Sequence, residues 1–451
     1  MKVLKFGGTS VGTPASLRNV KKIVEGCDEQ VIVVVSALGG ITDQLINTAR
    51  LASQGDMTYL QTYAAIVERH IKVIEEVVVA ESKAQVKAKV NSLFEELGNI
   101  FWAICLLRDL SDRTMDMVVS FGERLSSVII SKMIADCRYF YSPEFIVTQN
   151  QFGKHILDNE ETTIRIHETF DGAEFKSAIV PGFISTDRNG DITNLGRGGS
   201  DYTASILAAV LNADILEIWT DVDGFMTADP RIVKNAYVMD HMTFAEAMEL
   251  CNFGAKVIYP PTLYPVYHKN ISIKVKNTFN YEAPGTLISA TSVSTSGQSE
   301  LRGLSYIREI SLVKFICDSS DDIQGLSERI FNALAKSGIG ILLVDKALRI
   351  ALKSADAKLA SEVLIREFSS ELRNGLLKEI ALQEGLSLVA VVGNHISQNS
   401  SIFRNISESL DKEGCHVYAH NSGSADTNIS VVVAKEEMES ALISIHSRLF
   451  E

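Results

Sequence analysis

Two short glycine-rich runs carry the side chains best suited to chemistry in this chain. The first is Lys5-Phe-Gly-Gly-Thr-Ser-Val-Gly12, and the second is Asn194-Leu-Gly-Arg-Gly-Gly-Ser-Asp201. Glycine lets the backbone approach a ligand closely and adopt a positive φ without steric cost. In the second run Arg197 offers a planar fork suited to a carboxylate or phosphate. Ser200 adds a hydroxyl, and Asp201 adds a carboxylate that needs a cation, a metal or a donor beside it. The apolar, helix-forming residues 202–211 follow directly. The glycines should therefore sit at a helix N-terminus, where free N–H groups and the macrodipole favour an anion.

The first run has the same layout. Residues 1–6 read as a strand, and Thr13-Pro14 supplies an N-cap and an N1 proline for a helix to about Glu25. A strand, a glycine loop and a helix start form a phosphate cradle, although the GxxxxGK[ST] pattern of ordinary P-loops is absent. Lys5 instead precedes the glycines, with Gly7, Gly8 and Ser10 behind it. Strand alternation aims Lys5 toward the C-terminal edge of the sheet, where open α/β sheets bind ligands. Four further clusters supply matching chemistry. Ser36-Ala-Leu-Gly-Gly-Ile-Thr42 follows a second strand and offers hydroxyl and N–H donors to a carboxylate. Glu123 could hold an ammonium. Thr220-Asp-Val-Asp-Gly-Phe-Met-Thr-Ala-Asp-Pro-Arg231 is a turn-rich segment ending in a cation, and Lys256 supplies another cation. Such a set suits phosphoryl transfer, in which positioning and charge neutralisation do most of the catalysis.

The elements that must position these residues follow from hydrophobic patterning. Val31-Ile-Val-Val-Val35 and residues 178–184 and 215–219 are continuous apolar runs, expected of a mostly parallel sheet covered by helices on both faces. Residues 56–137 have helical periodicity and form an excursion that returns Phe121-Gly-Glu-Arg124 to the site. The Ser/Thr-rich residues 290–301 have linker composition. Beyond them lies a repeat offset by about 76 positions, in which Ile310-Ser-Leu-Val parallels Leu386-Ser-Leu-Val, and Ala335-Lys-Ser-Gly338 parallels Asp411-Lys-Glu-Gly414. Each copy reads strand, helix, strand, strand, helix, with helices over 325–337 and 356–369 in the first and 401–413 and 436–449 in the second. Such a tandem module suits dimerisation or a regulatory small-molecule site.

With 451 residues, 46% hydrophobic and 22% charged, the composition is that of a globular protein of two to four domains. A net charge of −13 without a long basic run argues against a nucleic-acid groove or an anionic membrane surface. No uninterrupted apolar run approaches the roughly 20 residues that cross a bilayer. Six cysteines without CxxC spacing suit reduced thiols in the cytoplasm rather than a disulfide frame or zinc site. His416 and His420 lie in a strand-like stretch, so no metal site is expected from them.

The motifs resemble those of aspartokinases in the amino-acid kinase family. Lys5-Phe-Gly-Gly-Thr-Ser-Val11, Ser120-Phe-Gly-Glu-Arg-Leu-Ser-Ser127, Gly196-Arg-Gly-Gly-Ser-Asp201 and Thr220-Asp-Val-Asp-Gly…Ala228-Asp-Pro-Arg231 occur in the family's order. The C-terminal repeat resembles its paired ACT domains, and the chain's end is similar to the lysine-sensitive, single-function branch. The resemblance implies an α/β architecture: an amino-acid-kinase three-layer sandwich with a mostly parallel sheet, then two ferredoxin-like βαββαβ ACT domains. Expected bounds are 1–290 for the catalytic domain, 291–301 for a linker, and 302–380 and 381–451 for the ACT copies.

It also implies transfer of the γ-phosphoryl of ATP, carried with Mg2+, to the β-carboxylate of L-aspartate, the first step toward lysine, threonine and methionine. Lys5, Asp201 and Lys256 would be catalytic, and Ser36, Thr42, Glu123, Arg197 and Ser200 would hold aspartate. Lys5, Gly7, Gly8, Ser10, Thr220, Asp221, Met226, Arg231, Lys256 and Val257 would hold the nucleotide, with no metal ligand from the protein. A lysine or threonine effector and a cytoplasmic homodimer or tetramer through the ACT copies complete the expectation. Two departures stand out. Met226 occupies a position where the family has tyrosine, and the segment that relatives use for lysine is shortened to Val344-Asp-Lys-Ala347. The rival readings are an acetylglutamate or glutamate kinase, which would lack the ACT pair, and a catalytically silent amino-acid sensor.

Overall fold

The computed structural model describes residues 1–151, 154–290, 301–317, 326–345, 347–396, 399–421 and 427–451. All of the expected linker except Leu301, and Lys346 within the shortened segment, lie outside them. An eight-stranded sheet organises the first part of the chain. Across it the strands run His241–Thr243, Thr286–Ser289, Ile273–Asn277, Ile215–Thr220, Lys2–Phe6, Val31–Val35, Ser177–Pro181 and Cys137–Tyr139. Every neighbouring pair is parallel except Ile273–Asn277 with Thr286–Ser289. The continuous aliphatic runs are thus explained by central strands, and Val31 to Val35 are buried throughout.

The chain leaves Lys2–Phe6 toward Val31–Val35 on one side and later returns to Ile215–Thr220 on the other. That reversal of strand order opens a crevice at the C-terminal ends of these strands. Lys5 stands opposite Val34 and Ile218 at this edge. The helix Pro14–Glu25 begins where expected: Thr13 Oγ1 accepts from Ser16 N–H at 3.1 Å, Ser16 Oγ accepts from Thr13 N–H at 3.0 Å, and proline occupies the first turn. The helical excursion comprises Tyr59–Val77, Ala80–Leu107 and Asp112–Ser131. Ala80–Leu107 has the length to cross a bilayer, but it carries Lys83, Lys87, Lys89, Glu95 and Glu96 and buries Val86, Val90, Leu93, Leu97 and Phe101 in the core.

The apolar run 178–184 is not one strand. It breaks into Ser177–Pro181 in the large sheet and Ile184–Asp187 in a separate four-stranded sheet with Lys154–Leu157, Val147–Gln151 and Ile192–Asn194. Apolar content cannot reveal the break, because its cause is contact with another helix. A Cβ on Gly182 would lie 2.7 Å from Ser200 Cβ, so the chain turns there, and Phe183 takes φ +69°.

The expected catalytic segment 1–290 is also not one contiguous body. One compact unit contains Met1–Phe225, Asp240–Phe244 and the residues from Val257 through the strand Thr286–Ser289. The other contains Met226–Met239, Ala245–Lys256 and the C-terminal repeat. Core packing explains the division. Ala228 and Val233 join Val389, Val391, Ile406 and Leu442 in one apolar cluster, and Thr227 Oγ1 lies 3.0 Å from the buried His446 Nε2.

The repeat builds a six-stranded antiparallel sheet in the order Ile341–Val344, Ile350–Lys353, Leu301–Ile316, Glu379–Gly393, Asn428–Ala434, Ala419–Asn421. Helices Ser327–Lys336, Ser354–Glu367, Ser400–Lys412 and Met438–Phe450 cover it, as the repeat predicts. The two long strands are shared. Residues 310–316 pair with 379–386 and with Ile350–Lys353, whereas 301–307 pair with 388–393, which continue to Asn428–Ala434. Each copy therefore takes its fourth strand from the other's long strand, and residues 301–307 lie beside the second copy rather than the first.

Candidate active site

At the crevice the two glycine loops meet the excursion's last helix. Lys5 Nζ lies 2.6 Å from Asp201 Oδ1, with both side chains largely buried. Asp201 stands in the first turn of the helix Gly199–Val210, where the macrodipole favours a carboxylate. The N-cap Gly198 has φ +71°, and a Cβ there would come within 2.7 Å of Tyr259 Cβ, so both backbone shape and close approach require glycine.

Glu123 enters from the helix Asp112–Ser131. The motif around it has a local reason: a Cβ on Gly122 would lie 2.7 Å from Ala37 Cβ, so glycine lets the helix rest on the loop after Val31–Val35. That contact brings Ala37 N–H to Glu123 Oε1 at 3.1 Å, and Ser126 Oγ donates to Ser36 O at 2.8 Å. Arg124 faces away, pairing with Glu96 and lying over the Phe121 ring. Glu123 is 4% exposed, and its Oε2 is buried without a partner. Burial pushes its carboxyl up to about 8, against the pull of Ala37 N–H and Lys5. A cation brought to its uncommitted oxygen would favour the charged form that burial disfavours.

A cavity of about 270 Å³ joins these groups, lined by Lys5, Ser36, Thr42, Glu123, Phe183, Gly196, Gly198, Gly199, Ser200 and Asp201. Six residues singled out from sequence therefore come together here: Lys5, Ser36, Thr42, Glu123, Ser200 and Asp201. Arg197 is next to them in the chain but exposed, its guanidinium 5.7 Å from the centre of the Tyr259 ring. Gly7, Gly8 and Ser10 form the loop beyond Lys5, though not every donor there is available. Gly7 N–H donates to Trp219 O at 3.2 Å, as does Ser10 Oγ, and Ser10 Oγ accepts from Thr278 at 2.7 Å. The Ser10 hydroxyl is thus committed to the fold, because it is fully buried against the neighbouring strand's end.

Thr220 ends the strand beside Lys2–Phe6 and donates to Asp221 at 3.1 Å, while Asn277 and Asn280 donate to Asp223. Met226, Arg231 and Lys256 belong to the second unit, and Val257 opens the last segment of the first. Arg231 is committed to Asp229, whose carboxyl it holds at about 2, with Tyr306 OH as a further donor at 2.9 Å. Lys256 is exposed. Sequence reasoning missed Phe183 and Tyr259. Phe183 is fixed by Thr203 Oγ1, which accepts from its N–H at 3.0 Å. Neither residue lies in a motif, so only the positive φ at one and the glycine packing at the other reveal them.

Hydrogen bonds tie Asp345 to the residues that follow. Asp345 accepts from the N–H groups of Ala347 and Arg349 and from the Arg349 guanidinium, which also donates to Tyr418 O at 2.5 Å. Asp345, Ala347 and Arg349 border a second cavity of about 520 Å³ with Val344, Phe403, His420 and Asn421.

The sequence profile described as the amino acid kinase family matches residues 1–277, and an ACT domain profile matches 389–449. A chloroplastic bifunctional aspartokinase/homoserine dehydrogenase of Daucus carota is 29% identical over 463 residues, covering 99% of this chain and 50% of that protein. The chain thus spans about half the length of that relative. E. coli aspartokinase III, solved in complex with aspartate and ADP, matches over 100% of both chains with a TM-score of 0.83 and 28% identity. The same enzyme in complex with lysine and aspartate matches over 100% of both with a TM-score of 0.77. With the profile spanning well over half of its length, the chain belongs to the amino acid kinase family, and its relatives include aspartokinases.

Proposed function

We propose that this chain is an aspartate kinase, transferring the γ-phosphoryl of ATP to the β-carboxylate of L-aspartate and forming 4-phospho-L-aspartate. The observation that carries the reading is that Glu123, which has one buried, uncommitted oxygen, lines the same cavity as the Lys5–Asp201 pair. An α-ammonium at Glu123 and an α-carboxylate at Arg197 would leave the substrate's side-chain carboxylate to meet a phosphoryl group near Lys5. The likeness to E. coli aspartokinase III with aspartate and ADP supports the choice of substrates.

The attacking carboxylate is already ionised at neutral pH, so no side chain is needed as a base. The chain's task is to align the carboxylate with the phosphoryl and to offset charge as it develops. Lys5 would steady the transferring phosphoryl, held in place by Asp201. Ser36, Thr42 and Ser200 would donate to aspartate, and the N-terminus of the helix Gly199–Val210 adds positive potential. Gly7, Gly8 and Ser10 would shape the phosphate loop, and Thr220 and Asp221 would face the nucleotide. The assignment of Met226, Arg231, Lys256 and Val257 to the nucleotide, with Lys256 catalytic, rests on the resemblance alone. Mg2+ would arrive on the triphosphate as part of the substrate. Among the described residues, no group of three or more His, Cys, Asp or Glu side chains is arranged to hold a metal.

Control by lysine or threonine through the ACT copies of a cytoplasmic homodimer or tetramer completes the proposal. The lysine part of this reading is supported by the likeness to the lysine complex of E. coli aspartokinase III. The deciding assay is ATP-dependent acyl-phosphate formation, trapped with hydroxylamine, using aspartate, glutamate or acetylglutamate with and without lysine or threonine. Aspartate should be strongly preferred; equal or greater turnover of another acid would overturn the assignment.

A further inference from the structure

Asn194 ends the strand Ile192–Asn194, two residues before Gly196. Its Nδ2 donates to Asp116 Oδ1 at 2.6 Å, and its Oδ1 accepts from Gly196 N–H at 2.9 Å. The carboxamide orientation is dictated by its partners, because an ionised carboxylate only accepts and a backbone N–H only donates. One side chain thus links the glycine loop to the helix Asp112–Ser131. The other end of the same short strand is tied to that helix too, through the ion pair of Arg113 with Asp191.

Glu123 lies on that helix, seven residues after Asp116. Positions i and i+7 share a helix face two turns apart. A single rigid element therefore carries both the carboxylate that faces the cavity and the carboxylate that anchors the loop bearing Arg197. Asp116 is half-buried, and the His155 ring lies 3.9 Å from its second oxygen. Neither Asp116 nor Asn194 is among the residues that line the cavity.

We propose that Asp116 is a positioning residue. By holding Asn194 against Gly196, it fixes the separation between the ammonium site at Glu123 and the carboxylate site at Arg197. That separation decides where the side-chain carboxylate of the bound amino acid arrives, and hence how well aspartate is told from glutamate. The proposal rests on the reading that Glu123 and Arg197 grip an amino acid.

The test uses the full chain and the variants Asp116→Ala, Asp116→Asn, Asn194→Ala and the double alanine variant. Aspartate binding is measured by calorimetry without nucleotide, alongside KM for both substrates, kcat, the aspartate-to-glutamate ratio and the melting temperature. A lost hydrogen bond to a charged group is worth about a tenfold change or more, so Asp116→Ala should raise the Kd and KM for aspartate roughly tenfold. It should also narrow the aspartate-to-glutamate ratio while leaving kcat and the ATP KM within about twofold. Asp116→Asn keeps an accepting oxygen and should restore near-normal values. Asn194→Ala should match Asp116→Ala, and the double variant should be no worse than either, since all three cut the same link. An unchanged aspartate Kd in both alanine variants would overturn the proposal, as would a selectivity ratio that follows only the melting temperature. Wild-type protein that binds no aspartate would overturn the reading of the site as well.

Discussion

Binding of aspartate should expel a proton from Glu123. The carboxyl lies at about 8 because burial disfavours its charged form. At pH 7 about nine-tenths of the free protein therefore carries a neutral Glu123. An ammonium brought against the buried Oε2 favours the charged form and should lower this value by about three units, an interaction on the order of 4 kcal/mol. Net release is then about 0.9 proton per aspartate at pH 7, about 0.5 at pH 8 and about 0.1 at pH 9. Calorimetric titration in buffers of equal pH but different ionisation enthalpy reads this number directly. Glu123→Gln should release none and should bind aspartate weakly at every pH. The same shift leaves a mark on the free protein. The native state binds more protons than the unfolded chain between about pH 4.5 and 8, so the stability Glu123 contributes is present below that window and lost as pH rises through it. Glu123→Gln should therefore melt higher than wild type at pH 8 and lack this part of the pH slope. Aspartate binding at pH 7 without proton release, or equal release from Glu123→Gln, would refute the placement of the ammonium at Glu123.

Three further outcomes are expected. Lys5→Ala should lower turnover about 100-fold or more, the usual effect of removing a group that stabilises transferring charge. Stability should fall as well, because the largely buried Asp201 loses its partner, so turnover is compared at equal folded fraction; wild-type turnover would exclude the role of Lys5 at the phosphoryl. Arg197→Lys should raise the aspartate KM about tenfold, because an ammonium cannot make the bidentate contact of a guanidinium. An unchanged KM would move the substrate's α-carboxylate elsewhere. In Gly122→Ala the new methyl would sit 2.7 Å from Ala37 Cβ. Overpacking costs about 1–3 kcal/mol and outweighs the roughly 1 kcal/mol gained in helix propensity, so the denaturant midpoint should fall. A variant as stable as wild type would show that the helix has room to move.

What could be read from sequence was chemistry encoded locally. The N-cap and proline that start the helix Pro14–Glu25 and the aliphatic run Val31–Val35 declare themselves within a few positions, and the repeat beyond residue 301 declares itself by direct comparison of its two copies. The need of Asp201 for a cation was also legible, though not that Lys5, 196 positions earlier, would supply it. What could not be read depends on a partner distant in the chain. The break at Phe183 is imposed by Ser200 and by Thr203, about 20 positions later, and φ +69° at a phenylalanine costs roughly 1–2 kcal/mol that local pattern gives no reason to spend. Ser10 looked like a free donor because its partners Trp219 and Thr278 are more than 200 residues away. Segments 226–239 and 245–256 fall inside the expected catalytic span 1–290. Residues 226–239 belong instead with the C-terminal strands and helices, where Ala228 and Val233 join an apolar cluster and Thr227 is bonded to His446. Motif order survives such rearrangement, since it records which side chains chemistry needs. Domain boundaries do not survive it, since they are decided by whichever core buries the intervening aliphatic residues best.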